Sequence, residues 1–126
     1  MDKRETFGNI GGRHFQESLC QLMLEDRPFC DQLMEVLEID FFESVDIRAF
    51  VQILTEYKHK YSPTPHPSYE MMASLIKSNL KSFDKSTGDK LKKLFISFKD
   101  RHIENKEHVV STSIDFCRKQ ALKKAM

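Results

Sequence analysis

Asp46 to Tyr61 reads DIRAFVQILTEYKHKY. Its apolar residues, Ile47, Phe50, Val51, Leu54, Tyr57 and Tyr61, recur at steps of three and four, the repeat of one face of an α-helix. Asp46 stands where an N-cap is expected, and the helix has to stop before Pro63, Pro65 and Pro67, which no helix interior tolerates. The same periodicity extends to both sides. Upstream, Phe15, Leu19, Leu22 and Met23 line one helical face. Asp26 followed by Pro28 marks a second start, with Phe29, Leu33, Val36 and Leu37 as its stripe. Downstream, Ser68 can cap a helix bearing Met71, Met72, Leu75, Ile76 and Leu80. Past the turn-rich Asp84–Gly88, Thr87 or Asp89 opens a fifth helix carrying Leu91, Leu94, Phe95 and Phe98. A last helix runs from about Val109 to Met126. Strand alternation is nowhere convincing. The expectation is an all-α compact bundle of about five to six helices, ending in a C-terminal helical hairpin or linker helix. The segment Phe7–Gly12 reads as a floppy arm, since glycine-rich termini order only when held.

Composition bounds the function. The chain has 126 residues, 40% hydrophobic and 31% charged. That is one globular domain with a real core, too short for a two-domain nucleotide-driven enzyme. Cys20, Cys30 and Cys117 form neither a disulfide framework nor a CxxC pair, so they read as reduced thiols of a cytoplasmic protein. No run approaches the roughly 18 apolar residues of a membrane span. The net charge of +1 hides a split: residues 1–76 hold 7 Lys and Arg against 13 Asp and Glu, while residues 77–126 hold 13 against 6. Such a split fits an ordinary solvated surface, two faces with different partners, or head-to-tail contact between copies.

Enzyme signatures are missing. The chain contains no GxxxxGK[ST], GxGxxG, GxSxG or HExxH. His14, His59, His66, His102 and His108 lie far apart and none is spaced with a cysteine as a zinc ligand pair. Glu35, Glu38, Asp40, Glu43 and Asp46 read as a solvated acidic rim or as a surface for a basic partner, ahead of a carboxylate pair for acid–base work. Lys90, Lys92, Lys93, Lys99 and Arg101 can touch phosphate backbone without sequence preference. The stripe Leu91, Leu94, Phe95 and Phe98 is either core or, if helices five and six project as a hairpin, an apolar face that another copy has to cover.

The final helix, VVSTSIDFCRKQALKKAM, carries a narrow stripe of Val110, Ile114, Cys117 and Ala121, with Phe116 and Leu122 beside it. Arg118, Lys119, Lys123 and Lys124 crowd its end, where cations complement the helix dipole. It has no closing glycine or proline, so it reads either as a fraying terminal helix or as a connector cut from a longer protein.

In order, Phe41-Phe42, Ile47-Arg48, Phe50-Val51, Tyr57, Tyr61 and Pro65 form the pattern FF…IR-x-FV…Y…Y…P. This resembles the N-terminal domain of DnaB-like replicative helicases, particularly their bacteriophage relatives. DFCRKQALKKAM, Asp115–Met126, is similar to the linker helix that precedes the motor in these proteins. The resemblance spans about residues 41–126. It implies a helical collar domain over 1–106 and a linker helix over 107–126 leading to an absent motor. The family's full-length members are homohexameric DNA helicases that thread DNA through a ring. Their collars serve subunit assembly and the docking of primase and sometimes a helicase loader. On this resemblance Leu91, Leu94, Phe95 and Phe98 help form the oligomer interface. Val110, Ile114, Phe116, Cys117, Ala121 and Leu122 form the linker's docking face. No catalytic, cofactor-binding or metal-ligating residue is implied here, because ATP and Mg belong to the motor. No membrane is involved, and the location is the cytoplasm of a bacterium or a phage-infected host. The alternative is a stand-alone helical adaptor, or a loader-like protein that binds DNA.

Overall fold

The structure, a computed structural model, describes residues 5–61 and 66–125. Pro63 and Pro65, expected to close the third helix, and the terminal Met126 lie outside the described residues. Six α-helices account for most of the chain: α1 Gly8–Glu25, α2 Arg27–Met34, α3 Val45–Lys60, α4 Tyr69–Asn79, α5 Lys85–Asp100 and α6 Lys106–Ala125. Short 3₁₀ turns sit at Ile39–Phe41 and Leu80–Ser82, and no strand occurs among the described residues. The all-α bundle expected from the periodicity is what the chain forms.

Local chemistry sets the helix starts. The Asp26 carboxylate accepts from the Phe29 N–H at 3.1 Å, with Pro28 in the first turn. Ser68 Oγ accepts from the Met71 N–H at 3.1 Å. Two starts differ from expectation. Asp84, not Thr87 or Asp89, caps α5 by accepting from the Thr87 N–H at 3.2 Å, so the helix begins at Lys85. Asp46 does not cap α3: the helix begins one residue earlier, and the Asp46 carboxylate is engaged by Arg13. Near its start α1 is kinked at Gly11 and Gly12, and Gly12 adopts φ +64°, a backbone that a side chain would strain.

The floppy-arm expectation for Phe7–Gly12 is overturned. Phe7 is fully buried, and its N–H donates to the Phe41 carbonyl at 2.8 Å. Its ring lies 4.8 Å from Phe116, 5.0 Å from Phe42, 5.9 Å from Phe41 and 6.0 Å from Phe15, centroid to centroid. One side chain thereby joins α1, the 39–42 turn and α6. A second aromatic group joins the other helices: Phe50 of α3 meets Phe98 of α5 edge-on at 5.3 Å, and Tyr69 of α4 approaches Phe95 at 5.9 Å. Accordingly α1 packs on α2, α3 and α6, while α5 packs chiefly on α3. The expected hairpin of helices five and six does not form, because α6 turns away to cover α1 and α2.

Near the ends of α1, α2 and α3 a polar chain staples the bundle. Lys58 Nζ lies 2.6 Å from Asp31 Oδ1 and 2.8 Å from His66 Nδ1. His66 Nε2 lies 2.7 Å from the Leu24 carbonyl. A carbonyl only accepts, so Nε2 carries the proton and Nδ1 accepts from Lys58. Burial and the neighbouring Lys58 charge hold the His66 pKa below its usual value.

Two outcomes follow. Phe7→Ala should cost about 3–5 kcal/mol in urea unfolding, as for a core phenylalanine, where an unattached arm would lose almost nothing. The folded chain also binds fewer protons at His66 than the unfolded chain does. Stability should therefore be full above about pH 6.5 and decline as pH falls through the histidine range. His66→Gln, assayed by thermal unfolding across pH, should flatten that part of the profile.

Candidate functional site

The residues expected to face a partner divide into two groups. Leu91, Leu94, Phe95 and Phe98 are all buried in the chain's own core, facing α3 and α4. Helical spacing marked an apolar face correctly, and within the chain α3 and α4 cover it, apart from edges of Leu94 and Phe95 that line surface openings. The expected docking face of α6 is split. Ile114, Phe116 and Cys117 are buried in the bundle and Val110 is half-buried, whereas Ala121 and Leu122 are exposed. The core thus continues through the proposed 106/107 boundary, with Val109 and Phe116 as much a part of it as Phe41.

What α6 leaves outside is an apolar cleft. Leu122 is 64% exposed and Ile10 of α1 is 38% exposed. Together with the edge of Phe116 they line an opening of about 440 Å³, bordered by Glu5, Lys119, Gln120 and Lys123. Polar contacts hold the helix end in place. Gln120 Nε2 donates to Glu5 at 2.7 Å, Lys123 lies 3.1 Å from Glu5, and Lys124 pairs with Glu38. Ile10 gave no sequence signal, since it falls in a segment that read as unstructured.

A second opening, of about 490 Å³, lies between α1, the start of α3 and the end of α5. Arg13 grips Asp46 through Nη1 at 3.2 Å and Nη2 at 2.6 Å, and its Nε reaches Glu17 at 2.8 Å. Arg101 pairs with the other oxygen of Glu17. Burial pushes the Asp46 and Glu17 carboxyls up, but their arginine partners outweigh it, so both sit below the ordinary carboxylate range. Both carboxylates are held by arginine, which suits a structural clasp rather than acid–base exchange. Lys90 and Lys93 line the same opening and make no ion pair within 4.0 Å among the described residues. The expected acidic group therefore disperses: Asp46 is buried in the clasp, while Glu38 and Glu43 bind Lys124 and Thr6.

Cys20, Cys30 and Cys117 are all buried free thiols. Burial raises all three, taking Cys30 and Cys117 to about 12. No group of three or more His, Cys, Asp or Glu among the described residues is placed to hold a metal ion. No helix among them is long and apolar enough to cross a membrane. No protein family, curated protein or solved structure matches the chain.

Because the Cys117 thiol is protonated and covered, Ellman's reagent at pH 8 should leave it unreacted in the folded chain and titrate it in denaturant. Fast native labelling at Cys117 would show α6 leaving the bundle, and the split described above would then be wrong.

Proposed function

We propose that this chain is a non-catalytic assembly and docking domain, the collar of a DnaB-like replicative helicase. It would serve subunit assembly and the engagement of a primase or loader. The single observation that carries the reading is the division of α6. Half of the helix is locked into the core by Ile114, Phe116 and Cys117, and its basic end presents Leu122 beside Ile10. A helix anchored at one end and apolar outside at the other suits contact with a second polypeptide, because exposed apolar area rimmed by charge marks interaction sites. The aromatic turn at Phe41-Phe42, the Arg48 helix and the final basic helix occur in the family's order. In this reading the motor, with its ATP and Mg, is a separate part of the polypeptide, and DNA passes through the assembled ring. The interface assignment moves from Leu91, Leu94, Phe95 and Phe98 to Ile10, Ala121 and Leu122.

A specific feature also favours the adaptor reading. Lys90 and Lys93, next to Arg13 and Arg101, form a cationic opening suited to phosphate backbone.

Sedimentation velocity across a concentration series, with and without single-stranded DNA, separates the two. The collar reading expects self-association that Leu122→Asp weakens at least tenfold while the unfolding midpoint stays put, since Leu122 is exposed. A strict monomer at high concentration overturns it. A monomer that binds the DNA, and releases it as salt rises, belongs to the adaptor.

A further inference from the structure

A groove between α4 and α5 lies apart from the two openings already described, and the inference from it goes beyond the collar reading. Its floor is Ile76, Leu80 and Phe95, and Ile96 stands on its edge, 62% exposed. The opening measures about 440 Å³. Ala73, Ile76 and Lys77 follow i, i+3, i+4 along α4, with Leu80 of the 3₁₀ turn just beyond it, and Lys92, Ile96 and Lys99 follow i, i+4, i+7 along α5. Two such rows side by side make a trough that the ridge of a third helix fills.

The rim decides which helix. Lys77, Lys92 and Lys99 are the charged residues lining the groove, and no Asp or Glu does so. All three are exposed and none makes an ion pair within 4.0 Å among the described residues. The exposed acids of α4 and α5 themselves, Glu70, Asp89 and Asp100, do not line the groove. The last turns of α6 carry Arg118, Lys119, Lys123 and Lys124, the same sign as the rim, and are tied to Glu5 and Glu38. The acidic segment 35–46 holds only a three-residue 3₁₀ turn before α3 begins. Exposed positions on α2 and α3, Arg27 and Asp31, Glu56 and Lys60, are mixed in sign. We infer that the α4–α5 groove is a docking site for an acidic amphipathic helix of a different protein, with Leu-type residues on the trough and carboxylates on the lysine rim.

The probe is a labelled synthetic helix of about 16 residues, the length of α5, with Leu on one face and Glu on the flanks. Its twin carries Lys for every Glu. Fluorescence anisotropy with the intact chain should show saturable binding of the acidic peptide, weakened by salt, and at least tenfold weaker binding of the twin. Ile96→Asp, and separately Lys92→Glu with Lys99→Glu, should each cost at least tenfold in affinity with thermal unfolding unchanged, because all three positions are exposed. Equal binding of both peptides, or binding untouched by these substitutions, overturns the proposal. So does self-association of the peptide-free chain that Ile96→Asp abolishes, since the groove then belongs to a second copy.

Discussion

Phe7 is the residue around which one half of this bundle is assembled. Its ring touches four other phenylalanines that come from α1, the 39–42 turn and α6, which are distant in sequence. Each such contact adds on the order of 0.5–1.5 kcal/mol beyond the area it buries. None of these partners can be satisfied by a neighbour along the chain. The bond from the Phe7 N–H to the Phe41 carbonyl at 2.8 Å fixes the segment's direction, and the Gly11–Gly12 kink then releases it into the straight part of α1. Phe41 and Phe116 also meet directly, edge-on at 5.3 Å, and Phe7 packs against both of them and against Phe15 of α1, so one ring ties the amino-terminal segment to a contact that α6 already makes.

Helix existence and type were legible because the apolar residues keep a helical period, over about four turns in α3 and about two in α1 and α5. What covers those faces was not legible. Leu91, Leu94, Phe95 and Phe98 form the same stripe whether the covering surface is α3 or another molecule, because periodicity carries no information about the partner. The segment Phe7–Gly12 misled for a related reason: its glycines signal looseness, while the single buried phenylalanine before them has no periodic neighbours to announce it. Asp46 is the third case. An acidic residue at a helix start fits a cap, yet Arg13, 33 residues away, claims its carboxylate. A contact at that separation leaves no local trace.

The candidate sites followed the same rule. Leu122 and Ala121 were visible as part of an amphipathic end, and they are exposed. Ile10, which completes the cleft, was hidden in the supposed arm. The α4–α5 groove was hidden differently: Ile76 and Leu80 read as members of a core stripe, and Ile96 falls off the α5 stripe, so the outer position of Ile96 was legible from helical phase while the opening beside it was not.

The charge split between the two halves of the chain can now be apportioned. Arg101–Glu17, Lys123–Glu5 and Lys124–Glu38 all join a cation of the basic half to a carboxylate of the acidic half. Much of the asymmetry is thus an intramolecular arrangement that fastens α6 and the end of α5 onto the first helices. Solvent screening limits what each of these pairs adds to stability, and they matter more for register than for energy. Lys77, Lys92 and Lys99 are outside this arrangement. They flank apolar side chains, and like charges held together beside a greasy trough raise the free energy of the unoccupied surface. No Asp or Glu lines the trough, so carboxylates presented by an incoming helix are the complement its rim lacks.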